Sequence, residues 1–99
     1  NQQKALLAKW LQLDPRVLLL HEPTQGVDVG ARQQVFAMIR NAARAGSAVV
    51  CASSDYEQLS TLCSRVLVFS GGRIVAELTG EAMSKEGITH ACYQGLAAS

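Results

Sequence analysis

The chain has no long apolar run, no paired set of cysteines and no excess of one charge. No apolar run approaches the ~20 residues that a membrane-spanning helix needs, and no signal-peptide pattern opens the sequence. We therefore expect any membrane role to come through a partner. Nine basic and eight acidic residues leave a formal net charge of +1 without a block of one sign, which does not indicate nucleic acid or an anionic membrane as a partner.

Cysteine is too sparse to define a scaffold or a metal site. Cys51, Cys63 and Cys92 are odd in number and show no C-x-x-C spacing, which argues against a disulfide framework and against a zinc site. We expect reduced thiols that pack as small hydrophobic groups.

A phosphate-binding loop of the form G-x-x-x-x-G-K-[ST] is also missing from the 99 residues. Such a loop surrounds phosphate groups with backbone amides and a lysine, so phosphate binding by this chain alone should be weak. The sequence opens on Asn1 rather than Met, and we interpret it as a fragment of a longer protein; a complete small protein is the alternative. The 99 residues, 48% of them hydrophobic, predict one small domain with a marginal core. If a larger domain covered its faces, we expect the excised piece to expose apolar surface and to form a dimer or aggregate.

Apolar spacing predicts alternating helices and strands in the first half of the chain. A first helix, ended by Asp14-Pro15, is predicted from the helical spacing of Leu6, Leu7, Trp10, Leu11 and Leu13. Residues 17–20 form a continuous apolar run, which predicts a strand covered on both faces. A second helix is predicted from about Gly30 to Ala45-Gly46, where glycine takes the left-handed C-cap conformation. Its predicted inward residues are Val35, Phe36, Ile39, Ala42 and Ala43. Ala48–Ala52 is the next strand, and this order implies a right-handed parallel crossover.

The second half predicts a short helix, a hairpin and a last helix. Asp55 is the predicted N-cap of a helix in which Leu59 and Leu62 face inward and which ends before Arg65. Residues 66–69 and 74–76 flank Gly71-Gly72, which predicts a β-hairpin because glycine tolerates positive φ. The predicted cap of the last helix is Ser84, and its inward residues are Ile88, Ala91 and Cys92.

The segment His21-Glu22-Pro23-Thr24-Gln25-Gly26-Val27-Asp28 comes directly after the first strand and carries the most chemical information. Open α/β sheets bind ligands outside the carboxyl ends of their strands. Glu22 is therefore interpreted as a functional acid. The alternative is that a glutamate before proline merely ends the strand.

The same segment resembles a known family. Residues 18–24, Leu-Leu-Leu-His-Glu-Pro-Thr, resemble the Walker B segment of ABC-transporter ATPases, normally four apolar residues followed by Asp-Glu-Pro-Thr or Asp-Glu-Pro-Ser. Residues 26–31 resemble their D-loop in the wording of carbohydrate importers, and Asn1-Gln2-Gln3-Lys4 is similar to the residues that come after the Leu-Ser-Gly-Gly signature. Lys9-Trp10-Leu11 and Asp14-Pro15-Arg16-Val17 continue the likeness. It covers nearly the whole chain and most resembles the C-terminal part of a ribose/galactose-type cassette, with the second of two tandem cassettes as one option.

This resemblance implies the fold and the domain organisation. It implies an α/β fold that is the C-terminal part of a P-loop NTPase, with a mostly parallel sheet, flanking helices and a C-terminal β-hairpin. Residues 1–99 would be a single fragment of the ATPase domain that holds the Walker B segment, the D-loop and the switch region, without the Walker A and signature loops.

The resemblance also implies roles for individual residues. Glu22 takes the position of the base or positioning carboxylate beside the attacking water. His21 stands where the family has an Asp that helps to hold the magnesium shell, and imidazole is a poor replacement because magnesium prefers oxygen ligands. Its alternative is a histidine hydrogen-bonded at a strand end. Ser54 stands at the switch-histidine position that contacts the γ-phosphate, and its alternative is a loop serine that caps the next helix.

Asp28 resembles the D-loop aspartate at the interface between two cassettes, and its alternative is a cap for the second helix. Thr24, Gln25 and Gly26 shape the loop between Glu22 and Asp28 and are the other nucleotide or interface candidates.

The resemblance implies that the chain is part of the ATP-binding and ATP-hydrolysing subunit that energises sugar import across the inner membrane. ATP and Mg²⁺ would serve the parent protein, and we expect the isolated chain to bind neither and to show no measurable magnesium-ATPase activity. The implied partners are a second cassette, permease subunits and, through them, a periplasmic sugar-binding protein, which would put the chain on the cytoplasmic face of the membrane. A non-catalytic remnant acting as an interaction module is the alternative, and an ABC-type ATPase of DNA repair or chromosome maintenance ranks last.

Overall fold

The computed structural model describes the backbone of residues 2–98 and the side chains of residues 3–95. Asn1, the first residue of the family likeness, lies outside this range. In chain order the elements are α1 (Gln2–Leu11), β1 (Val17–His21), α2 (Val29–Arg44), β2 (Ala48–Ala52), α3 (Tyr56–Leu62), β3 (Val66–Ser70), β4 (Arg73–Leu78), a 3₁₀ turn (Gly80–Ala82) and α4 (Lys85–Ala98). The chain divides into two compact units, with the boundary between Ser54 and Asp55.

The first unit is built on two parallel strands. β1 and β2 pair from Val17 with Ala48 to His21 with Ala52, and the pairing has no bulge. The parallel sheet predicted from the strand-helix-strand order is confirmed, and the right hand of the crossover stays a prediction. Helices α1 and α2 contact each other, and Lys4 of α1 donates a hydrogen bond to the side chain of Gln34 of α2.

Helix α2 supplies much of the core of the first unit. The buried residues of this helix are Val35, Phe36, Ile39 and Ala42, as the helical spacing predicted. Ala43 is exposed, so its predicted inward position is wrong; it lies one residue, about 100°, beyond the buried face. Gly46 comes after the C-cap with φ of +111° and donates from its N–H to the carbonyl of Ala43, which confirms the predicted left-handed ending.

The prediction that β1 is covered on both faces is wrong. Leu18 is 7% exposed, whereas the neighbouring Val17 and Leu19 are 59% and 74% exposed. Side chains on a strand alternate between faces, so only one face of β1 is covered. In helix α1, Leu7 is buried, whereas Leu6 and Trp10 are each 52% exposed.

The second unit joins an antiparallel hairpin to two helices. β3 and β4 pair antiparallel around Gly71 and Gly72, whose φ values are +59° and +77°, so the predicted hairpin is confirmed. A register shift falls between Val68 and Phe69. Helix α4 contacts both strands and α3, and the core of this unit consists of Leu59, Val66, Val68, Ile88 and Ala91.

Both helices of the second unit have the predicted caps. The Asp55 carboxylate accepts a hydrogen bond from the N–H of Gln58 at 3.1 Å. The hydroxyl of Ser84 accepts one from the N–H of Gly87 at 3.0 Å. Each contact satisfies a backbone N–H that a helix start leaves without an intrahelical partner.

The described residues form a small α/β fold with one parallel sheet and one antiparallel hairpin. Cys63 and Cys92 are free thiols. None of the helices in residues 2–98 combines the length and the apolar character that crossing a bilayer requires.

Candidate functional site

Glu22 lies directly past the end of β1 and extends the strand pairing by one bond. Its N–H donates to the carbonyl of Ala52 at 2.8 Å, which ties the ends of β1 and β2 together. Its φ is +48°, in the left-handed region that side chains other than glycine rarely adopt. Such conformations persist where surrounding contacts enforce them, and they concentrate at functional sites.

Two donors hold the backbone of Glu22 from other directions. Its carbonyl accepts hydrogen bonds from the side-chain Nε2 of Gln3 on α1 and from the N–H of Gln25, both at 3.1 Å. Three segments therefore converge on one residue, namely the start of α1, the end of β2 and the turn after Glu22. These hydrogen bonds, all within the first unit, hold Glu22 at its strained φ.

The Glu22 carboxylate is held at both oxygens by the segment after β2. The N–H of Ser54 donates to Oε1 at 2.7 Å, and the hydroxyl of Ser53 donates to Oε2 at 3.4 Å. The first distance is that of a strong, charge-assisted hydrogen bond, and the second is a long contact. Glu22 as a whole residue is half-buried.

The loop from Pro23 to Asp28 is a compact turn. Thr24 is 6% exposed and Val27 is 3% exposed, and the Val27 N–H donates to the Thr24 carbonyl at 3.1 Å. Gly26 has φ of +76°, which the absence of a Cβ permits. Gln25 and Gly26 are exposed, so the candidate loop residues divide into an inward-facing Thr24 and an outward-facing tip.

His21 lies apart from the Glu22 carboxylate contacts. It is exposed at the end of β1 and lines an open groove of about 600 Å³ between α1 and β1, with Pro23 beside it. The described residues give its imidazole no hydrogen-bond partner, so a histidine bonded at a strand end is not what the structure contains. Whether His21 touches a metal shell stays a prediction.

The alternative interpretation of both Ser54 and Asp28 is a helix cap, and the structure does not fully support it for either residue. The N-cap of α3 is Asp55, so the alternative that Ser54 caps this helix is wrong. Asp28 stands at the N-cap position of α2, but its side chain makes no capping hydrogen bond and is exposed. Only its backbone carbonyl joins the helix start, where it accepts from Ala31 and Arg32. The Asp28 carboxylate is thus left facing solvent.

Gln3 and Ser53 are site residues to which sequence reasoning gave no role. Both lie in segments that the family likeness includes, but apolar periodicity says nothing about a side chain that reaches a distant carbonyl or carboxylate. Gln3 is 19 residues from Glu22 in sequence and Ser53 is 31 residues from it.

The residues of this candidate site suit a water molecule better than a magnesium ion. Glu22 has the chemistry to accept a proton from water or to orient it. Among the described residues, no group of three or more His, Cys, Asp or Glu side chains is placed to hold a metal ion. His21 is a poor magnesium ligand, so the residues present do not fit magnesium by themselves.

Two side chains outside this site have raised pKa values. Burial raises the pKa of the Cys63 thiol, which favours its neutral form. The pKa of Tyr56 is raised chiefly by its side-chain hydrogen bond with Cys92 and also by burial. Neither group belongs to the Glu22 site.

Sequence comparison identifies the class of protein to which this site belongs. The chain matches curated ATP-binding proteins of sugar import over about four fifths or more of its own length. The chain is a homologue of one segment of these sugar-import ATP-binding proteins. The resemblance seen in residues 18–31 is therefore confirmed.

The relatives are ribose import ATP-binding proteins from several bacteria. The chain is 46% identical to RbsA 1 of Rhizobium johnstonii over 80 residues, which are 81% of this chain and 16% of the relative. Identity is 44% over 90 residues with RbsA of a Ruegeria species, covering 91% of this chain and 18% of the relative. With RbsA of Clostridium perfringens it is 41% over 88 residues, covering 89% and 18%.

The chain therefore spans about one sixth of the length of these relatives. No protein-family model matches it.

Proposed function

We propose that this chain is a segment of the ATP-binding subunit of a sugar importer, in which Glu22 is the acid that acts on the hydrolytic water. The observation that carries this proposal is the held carboxylate at the joined ends of β1 and β2, bonded to Ser54 at 2.7 Å. The homology to ribose import proteins supports the same assignment. Residues 1–99 would then be one piece of a P-loop NTPase domain whose phosphate loop lies elsewhere.

The geometry supports a positioning and proton-accepting role for Glu22. A carboxylate has about four lone-pair sites on its two oxygens, and the contacts with Ser53 and Ser54 use one on each oxygen. One site on each oxygen remains for water. General-base assistance of this kind contributes roughly 10²–10⁴-fold to a rate. ATP, when bound by the whole protein, supplies the phosphoryl group that the water attacks.

The residues around Glu22 favour slow ATP hydrolysis. His21 offers an imidazole where the family has a carboxylate for the magnesium shell, and the exposed Ser54 side chain carries no charge for a γ-phosphate. Thr24 holds the loop, while Gln25, Gly26 and Asp28 face outward as nucleotide or interface residues. We propose a site that binds nucleotide and hydrolyses it slowly, with magnesium held mainly by other parts of the protein.

The proposed partners are inferred from the relatives' role in import. A second ATP-binding cassette would meet the exposed Asp28 loop, and permease subunits would hold the ATPase at the cytoplasmic face of the inner membrane. A periplasmic sugar-binding protein would act through the permease.

A non-catalytic interaction module is the second candidate. The α1–β1 groove favours it, because this groove of about 600 Å³ is lined almost entirely by apolar side chains. We propose that the isolated chain forms a homodimer through the exposed side chains of this groove, among them Trp10, Leu13 and Leu19.

The test of the enzyme proposal uses the whole ATP-binding protein in which this segment occurs. We expect Glu22→Gln to lower the rate of ATP hydrolysis about 100-fold or more and to leave ATP binding intact, because the amide cannot accept the proton. Glu81→Gln, which neutralises an exposed carboxylate in the second unit, is the matched control. Hydrolysis at the wild-type rate in Glu22→Gln would remove Glu22 from the mechanism.

A further inference from the structure

We infer that residues 53 and 54 position the Glu22 carboxylate, and that residue 54 does so through its main-chain N–H rather than its side chain. The inference rests on the proposed role of Glu22 as the acid of the site. It differs from the switch-position role, in which the side chain at position 54 would act on a phosphate.

The distances rank the two donors. The Ser54 N–H lies 2.7 Å from Oε1, whereas the Ser53 hydroxyl lies 3.4 Å from Oε2. Hydrogen bonds to a charged acceptor weaken with length, so the main-chain contact is the principal one. Ser53 is the secondary holder, and its hydroxyl limits the rotation that a single contact would leave open.

The backbone around this contact is fixed on both sides. Glu22 is tied to Ala52 by its own N–H at 2.8 Å, and Ala52 is the last residue of β2 before Ser53. The left-handed φ of Glu22 turns the chain at the point where the carboxylate meets the segment after β2. The strand pairing that sets the sheet register thus also brings the donor and the acceptor together.

A main-chain donor makes the positioning independent of the side chain at position 54. Any residue except proline supplies the same N–H. A serine at position 54 therefore keeps Glu22 in place even though it carries no imidazole. Ser53 contributes through its hydroxyl, so position 53 requires serine or threonine for full restraint.

The contact is tested first by amide hydrogen exchange in the 99-residue chain, read by NMR at residue 54 and corrected for intrinsic rates. We expect exchange to rise at least about tenfold in Glu22→Ala, because a bond to a charged group is lost. Ser53→Ala should raise it about two- to threefold, and Ser53→Thr should restore the wild-type rate. Ser54→Ala should leave it unchanged, as should Ser60→Ala, the matched serine control on α3. Unchanged protection of residue 54 in Glu22→Ala, with the β2 amides still protected, would overturn the inference.

The positioning role is then measured as ATP turnover in the whole ATP-binding protein. We expect Ser53→Ala to lower kcat several-fold with KM for ATP unchanged, Ser53→Thr to restore it, and the control variant Ser60→Ala to leave kcat unchanged. A lower kcat in Glu22→Gln together with an unchanged kcat in Ser53→Ala would contradict the inferred role of Ser53 in positioning Glu22. Wild-type kcat in both variants would overturn the proposed function itself.

Discussion

His21 and Glu22 are consecutive residues with different surroundings. Glu22 is held at its backbone and at both carboxylate oxygens, while His21 is exposed beside an apolar groove. A held carboxylate therefore lies next to a solvent-facing imidazole. Under the proposed function, we expect the chemistry of this pair to set the rate of ATP hydrolysis.

Replacing His21 with aspartate should strengthen magnesium-dependent hydrolysis. We expect His21→Asp in the whole ATP-binding protein to raise ATP turnover at limiting Mg²⁺ roughly tenfold, because ligand-shell changes alter metal affinity or activity by 10–100-fold. The measurement is the ATP hydrolysis rate as a function of Mg²⁺ concentration. His90→Asp, at an exposed position of α4, is the control for added charge. Equal Mg²⁺ dependence in His21→Asp and wild type would contradict the view that position 21 faces the magnesium shell.

Sequence reasoning singled out Glu22 as a candidate acid but not the residues that hold it. Glu22 could be proposed because a carboxylate followed by a turn at a strand end is a local pattern. Gln3 and Ser53 meet Glu22 only through the tertiary fold, which brings the start of α1 and the end of β2 to the same place. The periodicity of the sequence does not predict these tertiary contacts.

At the scale of elements, the signals for caps and turns lie within a few residues of one another. Asp55, Ser84, Gly46 and the Gly71-Gly72 pair are correctly predicted because each acts on backbone groups within a few positions of itself. The burial of a side chain, in contrast, depends on residues that are distant in sequence. The apolar character of Val17 and Leu19 indicates a strand, but what covers each face of it depends on other parts of the fold.

Two helical glycines provide a matched test of packing. A Cβ added at Gly87 of α4 would lie 2.1 Å from the carbonyl oxygen of Ala82, whereas one added at Gly30 of α2 would meet nothing within 4 Å. We expect Gly87→Ala to lower the free energy of unfolding by about 1–3 kcal/mol through overpacking. Gly30→Ala should raise it by about 0.4–1 kcal/mol, because alanine restricts the unfolded chain and favours the helix.

Urea denaturation of the 99-residue chain, followed by circular dichroism, measures both changes. The opposite signs separate close packing at Gly87 from a general effect of adding a methyl group. Equal stability of the two variants would contradict the packing described for the start of α4.

At the scale of the whole chain, exposed apolar surface is the main liability. Leu19 is 74% exposed on β1 and Trp10 is 52% exposed on α1, and both line the groove of the first unit. Apolar side chains concentrated in one groove favour association in a way that scattered ones do not.

We expect Leu19→Lys to shift the 99-residue chain from dimer or aggregate towards monomer, because a charged side chain in the groove opposes burial against a second copy. Sedimentation equilibrium over a concentration series measures the change. Val29→Lys is the control, since Val29 is 77% exposed at the start of α2 and does not line this groove. The proposed homodimer surface is wrong if both variants associate as wild type does.

The most direct test of the proposed function is to sequence the coding region immediately upstream of the Asn1 codon. If the chain is a segment of an ABC-type ATPase, that region encodes a G-x-x-x-x-G-K-[ST] loop and, just before Asn1, a Leu-Ser-Gly-Gly signature. A start codon directly upstream, with neither motif in the reading frame, would contradict the proposal that Glu22 serves ATP hydrolysis and would leave the interaction module as the function.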